Sequence, residues 1–395
     1  MNEQSEYETA KTTALRLLAF CQANNWAGYD PYDALNSRLF RALPFLNFKP
    51  VRLALTQGIK RFPVNLRPLF LIPKEQNPKG IALFLTALLK LSKAGIADEE
   101  KAMTALTARL LSLKSSGGRQ AGWGYHFDWQ TRGALIPKGS PNIICSTFAA
   151  NALLDRYESS GKELLLETAA GTAEFIIKSF LSRRDGHEPF FNYTGIGAEE
   201  VHNANFLGAA FISRVGRMTG RTEFLELAVE TARFSVKRQH ADGSWDYGEY
   251  PTQKWIDNFH TGFNLGALKR IGAYTGTKEF EPSLRRGFEF YRARFFREDG
   301  APKYYHNAVY PIDIHSVSQS LITLSEFNDW APDSAALRQS VFNWAMAHMW
   351  NPKGYFYFQK HPHYMNRTPF MRWSQAWMLL ALATLLPERR LKSHD

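Results

Sequence analysis

Hydrophobic and polar positions along the chain define two kinds of helical segment. Five segments are apolar almost throughout beyond their first turn and rich in Ala, Gly and Leu: residues 141–157, 201–218, 256–274, 312–327 and 370–386. Four others carry a charged face opposite an apolar one: residues 165–181, 224–239, 282–295 and 335–349. A helix that is apolar all round is buried on all sides, whereas an amphipathic helix lies at a surface. The pattern therefore predicts an inner and an outer set of helices.

Turns rich in glycine and aromatic residues recur between these segments, at residues 26–30, 122–129, 185–193, 242–249, 299–305 and 352–357. Glycines in the last five turns lie 64, 57, 57 and 54 residues apart: Gly122, Gly186, Gly243, Gly300 and Gly354. A period of about 55 residues accommodates two helices and two loops, so each period predicts one helical hairpin. The repeat predicts an all-α fold, an (α/α)6 toroid over residues 1–395 as a single domain, with the aromatic turns at one mouth.

The interval between the first two turns is longer and predicts an insertion at about residues 40–80. Six prolines exclude one long helix there: Pro44, Pro50, Pro63, Pro68, Pro73 and Pro78. Residues 48–70 are basic and apolar, with Arg52, Lys60, Arg61 and Arg67 among Leu, Val and Phe. Two interpretations stay open. Such a stretch is more often a clamp across a domain, but it can also lie on an anionic membrane.

Composition and charge narrow the function. Aromatic residues make up 14% of the chain, with ten tryptophans, which is more than an ordinary core requires. The formal net charge of +11 favours an anionic partner such as an acidic glycan or a membrane surface, although a solvated basic surface would give the same charge. The sequence contains no compact Lys/Arg run or nucleic-acid motif, so we expect no nucleic-acid partner.

The number of cysteines and the hydropathy of the chain indicate the cellular compartment of the protein. Cys21 and Cys145 are too few for a disulfide framework or a CxxC metal site, which favours a reducing compartment. The acidic, polar start of the sequence does not resemble a signal peptide, and no stretch approaches 18 uninterrupted apolar residues. We therefore expect a cytoplasmic protein, with membrane association left open.

Polar residues break the apolar trend where the inner segments begin. Because helix N-termini in an inner ring open toward one mouth, these residues should converge there. Asp and Asn at such positions can simply be helix caps, but capping does not explain histidines at equivalent positions in three neighbouring hairpins. The candidate catalytic residues are Asp257, His260, Asp313, His315 and His202.

Candidate substrate-binding residues come from the aromatic turns and the same helix starts. Aromatic rings stack on the C–H faces of sugars, while amides, carboxylates and Arg pair with hydroxyls or uronic carboxylates. Turn aromatics can also wedge hairpins together. The candidates are Trp123, Tyr125, Asp128, Trp129, Asn142, Asn203, Trp245, Asp246, Tyr247, Glu249, Asn258, Tyr304, Tyr305, Tyr355, Tyr357, Arg372, Trp373 and Gln375.

Some of these motifs resemble those of two known groups of proteins. Residues 239–245 read QHADGSW and resemble the QxxDGSW signature of triterpene cyclases, but the DxDD and DDxxD motifs of terpenoid enzymes are missing from the sequence. A closer resemblance, over most of the chain, is to uncharacterised bacterial proteins encoded among exopolysaccharide and capsule genes. It rests on residues 122–130 (GWGYHFDWQ), 201–205 (VHNAN), 255–262 (WIDNFHTG), 310–315 (YPIDIH) and 371–377 (MRWSQAW). That family is similar to the six-hairpin glycosidase superfamily, including the toroids of uronyl C5-epimerases and polysaccharide lyases, which implies this fold and a glycan context.

Several functions remain open from the sequence. An enzyme of surface polysaccharide biosynthesis or modification could hydrolyse a glycosidic bond with two carboxyl groups, Asp257 and Asp313 being the best pair. Proton abstraction at C5 of a uronic acid, by an epimerase or lyase, is slightly favoured because the chain is basic and histidines and tyrosines are abundant. The alternative is a non-catalytic glycan-binding or assembly protein that contacts a membrane-bound synthase. A zinc ion on His202, His260 and His315 is a minor possibility, because their spacing matches no known motif. We expect no metal and no other cofactor.

Overall fold

Helices dominate the computed structural model, which describes residues 3–115, 121–131, 133–184, 186–196, 200–331 and 333–387. The first residue of the third aromatic turn, Asp185, lies outside these ranges. The helices are α1 (Glu3–Ala23), α2 (Arg38–Arg41), α3 (Lys49–Arg61), α4 (Pro78–Lys93), α5 (Glu100–Ser112), α6 (Ile143–Ser160), α7 (Glu163–Phe180), α8 (His202–Thr219), α9 (Thr222–Val236), α10 (Asn258–Thr275), α11 (Glu281–Arg294), α12 (Ile314–Glu326), α13 (Ser334–His348) and α14 (Trp377–Leu385). A π-helical turn, Met371–Ala376, leads into α14, and short 3₁₀ turns lie at Asp33–Asn36, Pro44–Leu46, Pro251–Gln253 and Asn328–Trp330.

Short strands of two residues each lie in the connections between helices. They are β1 (Trp129–Gln130), β2 (Leu135–Ile136), β3 (Leu181–Ser182), β4 (Phe190–Phe191), β5 (Ile312–Asp313), β6 (Trp350–Asn351), β7 (Tyr355–Phe356), β8 (Gln359–Lys360) and β9 (Met365–Asn366). All pair antiparallel, as β1–β2, β3–β4, β6–β7 and a three-stranded β5–β8–β9 sheet. In that sheet Asp313 lies opposite Gln359, which fixes the start of α12 against the loop that follows the last aromatic turn.

Six helices form a closed inner ring. The helices α4, α6, α8, α10, α12 and α14 each pack against the next, and α14 packs against α4. Their outer partners are α5, α7, α9, α11, α13 and, for α14, the N-terminal helix α1. The predicted (α/α)6 toroid is thus confirmed. Sequence reasoning identified five of the inner and four of the outer helices but missed α1, α4 and α5.

Burial follows the hydrophobic pattern that predicted the two rings. In α8 every residue from His202 to Gly216 is buried, whereas its outer partner α9 buries only one face. The turn in residues 239–245 shows how a hairpin is clamped: the Gln239 amide donates to the carbonyls of Gly243 and Ser283. Gly243 has φ +92°, and a Cβ there would lie 2.3 Å from the Arg286 carbonyl oxygen, so only glycine fits.

Backbone hydrogen bonds tie the aromatic turns to the inner helices. At the first residue of five inner elements, the amide donates to a carbonyl in or directly after the next aromatic turn. The pairs are Ile143 to Tyr193 (3.0 Å), His202 to Tyr247 (3.1 Å), Asn258 to Tyr304 (2.9 Å), Ile314 to Phe358 (3.0 Å) and Met371 to Tyr29 (3.2 Å). Each bond satisfies an N–H group that the helix itself cannot. The last one joins the C-terminal hairpin to the first turn and closes the ring.

The insertion is fixed to the toroid by a buried ion pair. Arg67 is 1% exposed, and its Nε lies 2.7 Å from Asp33 Oδ1 while its Nη2 donates to the Asp30 carbonyl. Burial raises the pKa of Asp33 to about 6, against the opposing charge of Arg67. Pro78, near the end of the segment predicted as an insertion at about residues 40–80, begins the inner helix α4. None of the described helices is long and apolar enough to cross a membrane.

Substitution of Arg67 should destabilise the fold strongly. Arg67→Met leaves Asp33 buried without its partner, so we expect the free energy of unfolding to fall by about 3–5 kcal/mol. The exposed neighbour Arg61 provides a matched control, since Arg61→Met should change it by less than about 0.5 kcal/mol. Urea unfolding of the purified variants measures both values. Equal effects of the two substitutions would contradict the clamping role of Arg67.

Candidate functional site

A cleft of about 870 Å³ opens at the mouth where the inner helices begin, a size typical of ligand pockets. The second residue of every inner element lines it: Lys79, Ile144, Asn203, Phe259, His315 and Arg372. Aromatic turns form the walls, and Leu53, Gln57 and Lys60 of α3 form part of the rim. Helix starts and aromatic turns therefore converge on one cavity, as the sequence predicted.

His260 and Asp257 form a hydrogen-bonded pair at the start of α10. One oxygen of Asp257 caps the helix by accepting from the His260 amide (2.9 Å), and the other lies 2.7 Å from His260 Nδ1. Trp255 Nε1 also donates to that second oxygen (3.2 Å). The Asp257 side chain is 1% exposed and that of His260 is 23% exposed. Because Nδ1 is engaged, Nε2 is the ring nitrogen left for the cleft, the arrangement in which a carboxylate orients a catalytic imidazole.

His315 lies deeper, inside a box of aromatic rings. It is 1% exposed and stacks on Phe259 at 4.5 Å, with Trp373 and Trp377 at 4.6 and 4.7 Å. Neither ring nitrogen has a hydrogen-bond partner in the described part of the protein. Burial, reinforced by the charges of Lys79 and Arg372, holds the pKa of His315 well below its ordinary value. His315 is therefore a neutral imidazole at neutral pH, with one ring nitrogen available as a hydrogen-bond acceptor.

Lys79 is another buried titratable group of the cleft floor, and sequence reasoning missed it. Its ammonium nitrogen lies over three rings, at 4.3 Å from Phe148, 5.1 Å from Trp377 and 5.4 Å from Phe263. Burial lowers its pKa to about 7, and the charge of Arg372 acts in the same direction. The signal that could have revealed it is Asn77-Pro78, since Asn at the N-cap and Pro at the first position mark a helix start.

Arg372 is held rigid at the same level. Its Nε and Nη2 donate to the two carboxylate oxygens of Asp30, at 2.6 and 2.8 Å, and both side chains are almost fully buried. Burial raises the pKa of Asp30, but Arg372 outweighs this and the net pKa is lowered. The guanidinium also lies 5.3 Å from the rings of Tyr125 and Trp373. Asp30, at the end of the first aromatic turn, positions Arg372. Like Lys79, it was not identified from the sequence.

Asp313 does not line the cleft. It lies behind Trp373, whose Nε1 donates to Oδ1 (3.0 Å), and Gln359 Nε2 donates to Oδ2 (2.6 Å). The His315 amide completes the set at 2.8 Å. Burial raises the pKa of Asp313 to about 6. With its oxygens engaged by three donors, Asp313 caps α12 and positions Trp373.

The other predicted residues divide between the cleft and its surroundings. Those that line the cleft are Tyr125, Trp129, Asn203, Tyr247, Tyr304, Tyr305, Arg372 and Trp373, together with Asp257, His260 and His315. Those that do not are Trp123, Asp128, Asn142, Trp245, Asp246, Glu249, Asn258, Tyr355, Tyr357, Gln375, Asp313 and His202.

Specific contacts explain why the second group lies elsewhere. The indoles of Trp123 and Trp245 are buried and donate to the carbonyls of Leu110 and Ser235, so they wedge hairpins together. His202 is also buried, between Ser235 and Glu249. The remaining contacts are caps, ion pairs and packing bonds: Asn142 to the Cys145 amide, Asp128 to Arg41, Asp246 to Lys254, Asn258 to Tyr291, Gln375 to Phe356, and Tyr355 and Tyr357 to Asn351.

The described ranges contain no group of three or more His, Cys, Asp or Glu side chains arranged to hold a metal ion. His202 in particular lies away from the cleft that His260 and His315 share, so these three histidines do not form one site. The chemistry of the described cleft is that of histidine, lysine, arginine and aromatic side chains.

The chain matches no family model and no curated relative, but solved structures resemble it. An unsaturated glucuronyl hydrolase specific for heparin aligns at a TM-score of 0.64 and 11% identity, covering 97% of each chain. Cellobiose 2-epimerase from Bacillus thermoamylovorans aligns at 0.62 and 10%, covering 78% of this chain and 87% of that one. A GH76 α-mannanase from Bacteroides thetaiotaomicron aligns at 0.57 and 13%, covering 78% and 85%.

The chain has the fold of these carbohydrate-active enzymes. At such low identities the likeness establishes the fold and nothing finer. The predicted resemblance to the six-hairpin glycosidase superfamily is confirmed at that level. The predicted link to exopolysaccharide and capsule genes stays a prediction.

The low pKa of Lys79 predicts a pH-dependent stability. The amine titrates near 7 in the folded protein and near 10.5 when unfolded, so between these values the unfolded chain binds more protons and stability rises with pH. We expect a slope of up to about 1.4 kcal/mol per pH unit from pH 7 to 9. Lys79→Met should abolish this slope, while Lys93→Met, exposed on the same helix, should keep it. Urea unfolding at several pH values tests this, and identical slopes in both variants would contradict it.

Proposed function

We propose that the protein is a carbohydrate-active enzyme that moves a proton at C5 of a uronic acid in an acidic glycan, as an epimerase or a lyase. The observation that carries the proposal is the pair of histidines on one cleft. His315 is buried, neutral and without a partner, whereas His260 is oriented by a carboxylate. Two titratable groups in such different environments are suited to opposite roles in proton transfer.

Each step of this chemistry has a group to perform it. His315 takes the proton from C5, since its imidazole is kept neutral by burial. His260 donates from the other side, since Asp257 holds its Nδ1 and leaves Nε2 for the cleft. The carbanion formed at C5 is an enolate of the sugar carboxylate, and positive charge next to that carboxylate lowers the barrier. In β-elimination the first step is the same, and the proton donated by His260 goes to the leaving oxygen.

Unpaired cations in the cleft favour an acidic sugar. Lys60 donates to the Tyr32 hydroxyl (2.7 Å), and neither Lys60 nor Lys79 has a carboxylate partner in the described structure. Arg372 adds a third positive group, although Asp30 balances its charge. A uronic carboxylate bound here would be held by these groups, and it would favour the charged form of Lys79, whose pKa of about 7 leaves it partly protonated at neutral pH.

Hydrolysis by two carboxyl groups is less well supported. Such a mechanism needs an acid and a base or nucleophile on either side of the glycosidic bond. Among the described residues that line the cleft, Asp257 is the only carboxylate, and it is engaged with His260 and Trp255. The predicted partner Asp313 is covered by Trp373.

A second candidate is epimerisation at C2 of a reducing-end sugar. Proton transfer next to an aldehyde needs the same two histidines, and the fold resembles that of a cellobiose 2-epimerase. The cations of the cleft floor have no clear use with a neutral disaccharide, so we place this candidate second. The predicted role in bacterial surface polysaccharide biosynthesis accompanies the first candidate and rests on the sequence resemblance.

Isotope exchange tests the proposed chemistry. In deuterated water, an epimerase should place deuterium at C5 of uronic-acid oligosaccharides, detected by NMR, whereas a lyase should form a C4–C5 double bond, detected by its ultraviolet absorbance. His315→Asn and His260→Asn should each slow this exchange by about 10²–10⁴-fold, because each removes one proton-transfer group. The exposed His363→Asn serves as the matched control and should leave the rate unchanged.

The same variants separate the alternatives. If the protein only binds glycans, the wild type shows neither exchange at C5 nor formation of a double bond. Deuterium at C2 of a neutral disaccharide, with none at C5 of acidic ones, would favour the second candidate. Oligosaccharide binding by His315→Asn, measured by calorimetry, should stay within a few-fold of wild type if the residue acts in chemistry.

Selectivity for charge should depend on Lys60. Lys60→Met removes a cation from the rim, so affinity for acidic oligosaccharides should fall about 10-fold, in line with a lost charge-assisted hydrogen bond. Affinity for a neutral oligosaccharide of the same length should not change. The control is Lys353→Met, because Lys353 is exposed and does not line the cleft. An equal loss for neutral and acidic sugars would indicate that Lys60 shapes the cleft without recognising charge.

A further inference from the structure

The segment from residue 34 to residue 74, here called the basic segment, concentrates the exposed apolar surface of the protein. It makes up about a tenth of the chain, yet eight of the fifteen exposed large apolar side chains in the described ranges lie in it. They are Leu39, Leu43, Phe45, Phe48, Phe62, Val64, Leu69 and Leu71, and Phe45 and Leu69 are 74% and 70% exposed. Exposed apolar side chains concentrated in one segment make it a candidate interaction surface.

The same segment carries most of the net charge. It contains eight Lys and Arg residues and no Asp or Glu, out of a net +11 for the chain. Arg67 is buried with Asp33, and Arg41 lies 3.3 Å from Asp128. In contrast, the side chains of Arg38, Lys49, Arg61 and Lys74 are exposed. The partner of this surface must therefore be both apolar and anionic.

The backbone of the basic segment is held in place, so its apolar side chains are exposed from an ordered base. Ser37 Oγ donates to the Phe70 carbonyl (2.7 Å), and the Arg38 amide donates to that of Leu71 (3.4 Å). At the other end, Asn366 Nδ2 donates to the Phe62 carbonyl (3.2 Å). The first two bonds join the two ends of the segment to each other, and Asn366 together with the buried Arg67 fixes the flank after α3 to the toroid.

The faces of α3 suit a helix that lies flat on a surface. Leu53, Gln57 and Lys60 line the cleft, and Thr56 and Ile59 are buried. The exposed positions Pro50, Ala54 and Gly58 are small, which allows the helix axis to lie close to a surface. Phe48 and Phe62 are exposed at the two caps, about 20 Å apart over thirteen residues. Basic residues beside aromatic and aliphatic ones on such an element are the features of interfacial membrane binding.

We propose that the basic segment docks the protein on an anionic phospholipid surface, with α3 parallel to the membrane. Exposed cations pair with lipid phosphates, while Phe45, Val64 and Leu69 insert between the headgroups. An acidic glycan or nucleic acid would satisfy the charge but leave the apolar side chains in water. Since α3 also forms the rim of the cleft, docking places the cleft next to the membrane. The consequence that a membrane-attached glycan lies within reach rests on the proposed function, whereas the docking itself does not.

Vesicle co-sedimentation tests the docking without reference to any reaction. The full-length protein should bind vesicles that contain phosphatidylglycerol, bind phosphatidylcholine vesicles much more weakly, and lose affinity as salt increases. The variant Arg38→Glu/Lys49→Glu/Arg61→Glu should bind at least about 100-fold more weakly, from a contribution of about 1 kcal/mol per cation. Phe45→Ser/Leu69→Ser should weaken binding at least about 10-fold at constant salt.

Matched controls carry the same changes elsewhere on the surface. They are Lys101→Glu/Lys162→Glu/Lys278→Glu and Leu15→Ser/Leu164→Ser, all at exposed positions outside the segment. Circular dichroism and thermal unfolding verify that each variant is folded. Absence of vesicle binding, or equal loss in the control variants, would overturn the proposal. So would self-association of the wild type, seen by light scattering and abolished by Phe45→Ser/Leu69→Ser, because a second copy would then cover the surface.

Discussion

A single backbone contact, repeated around the ring, holds the toroid and its cleft together: the first amide of an inner element donates to a carbonyl of the next aromatic turn. Each such bond contributes about 0.5–1.5 kcal/mol, but its geometric effect is larger, because it sets the height of the turn relative to the helix. The inner helix α4 is the exception. It begins with Pro78, which has no N–H, and there the Asn77 side chain lies 2.7 Å from His126 Nδ1 in the next aromatic turn. Every hairpin is thus brought to the same level at the mouth.

The cleft is a consequence of this common level. Once the first residue of each inner element is fixed, the second residue faces the axis, and six side chains from six hairpins meet. Their identities are Lys79, Ile144, Asn203, Phe259, His315 and Arg372. One structural rule therefore assembles a cation, an amide, an imidazole and a guanidinium from positions more than 290 residues apart. The aromatic turns, held by the same bonds, supply the walls on which a sugar can stack.

The sequence predicted the features that follow from local patterns. It did not predict the roles of side chains whose partners lie far away in the chain. The repeat of turns predicted the toroid, and the polar helix starts predicted the shared position of His260 and His315. It could not distinguish Asp257 from Asp313, because both cap a helix through one oxygen. The other oxygen of Asp257 meets a histidine three residues away, whereas that of Asp313 meets Gln359, far along the chain. The helix α4 was missed because the prolines before it obscured the repeat of about 55 residues. Lys79, the second residue of α4, was missed for the same reason.

The unmade interactions at the cleft floor point to a ligand more directly than the residues themselves do. Buried polar atoms in proteins are nearly always hydrogen-bonded; of those without a partner in the described structure, both nitrogens of His315 and the side-chain amide oxygen of Asn203 belong to residues that line the cleft. A buried lysine lies beside them on aromatic rings. A core would replace such groups with apolar ones at a gain in stability. Their presence on the wall of a cavity is explained if a polar, anionic molecule completes these bonds, because the cost of leaving them open is then recovered as binding energy.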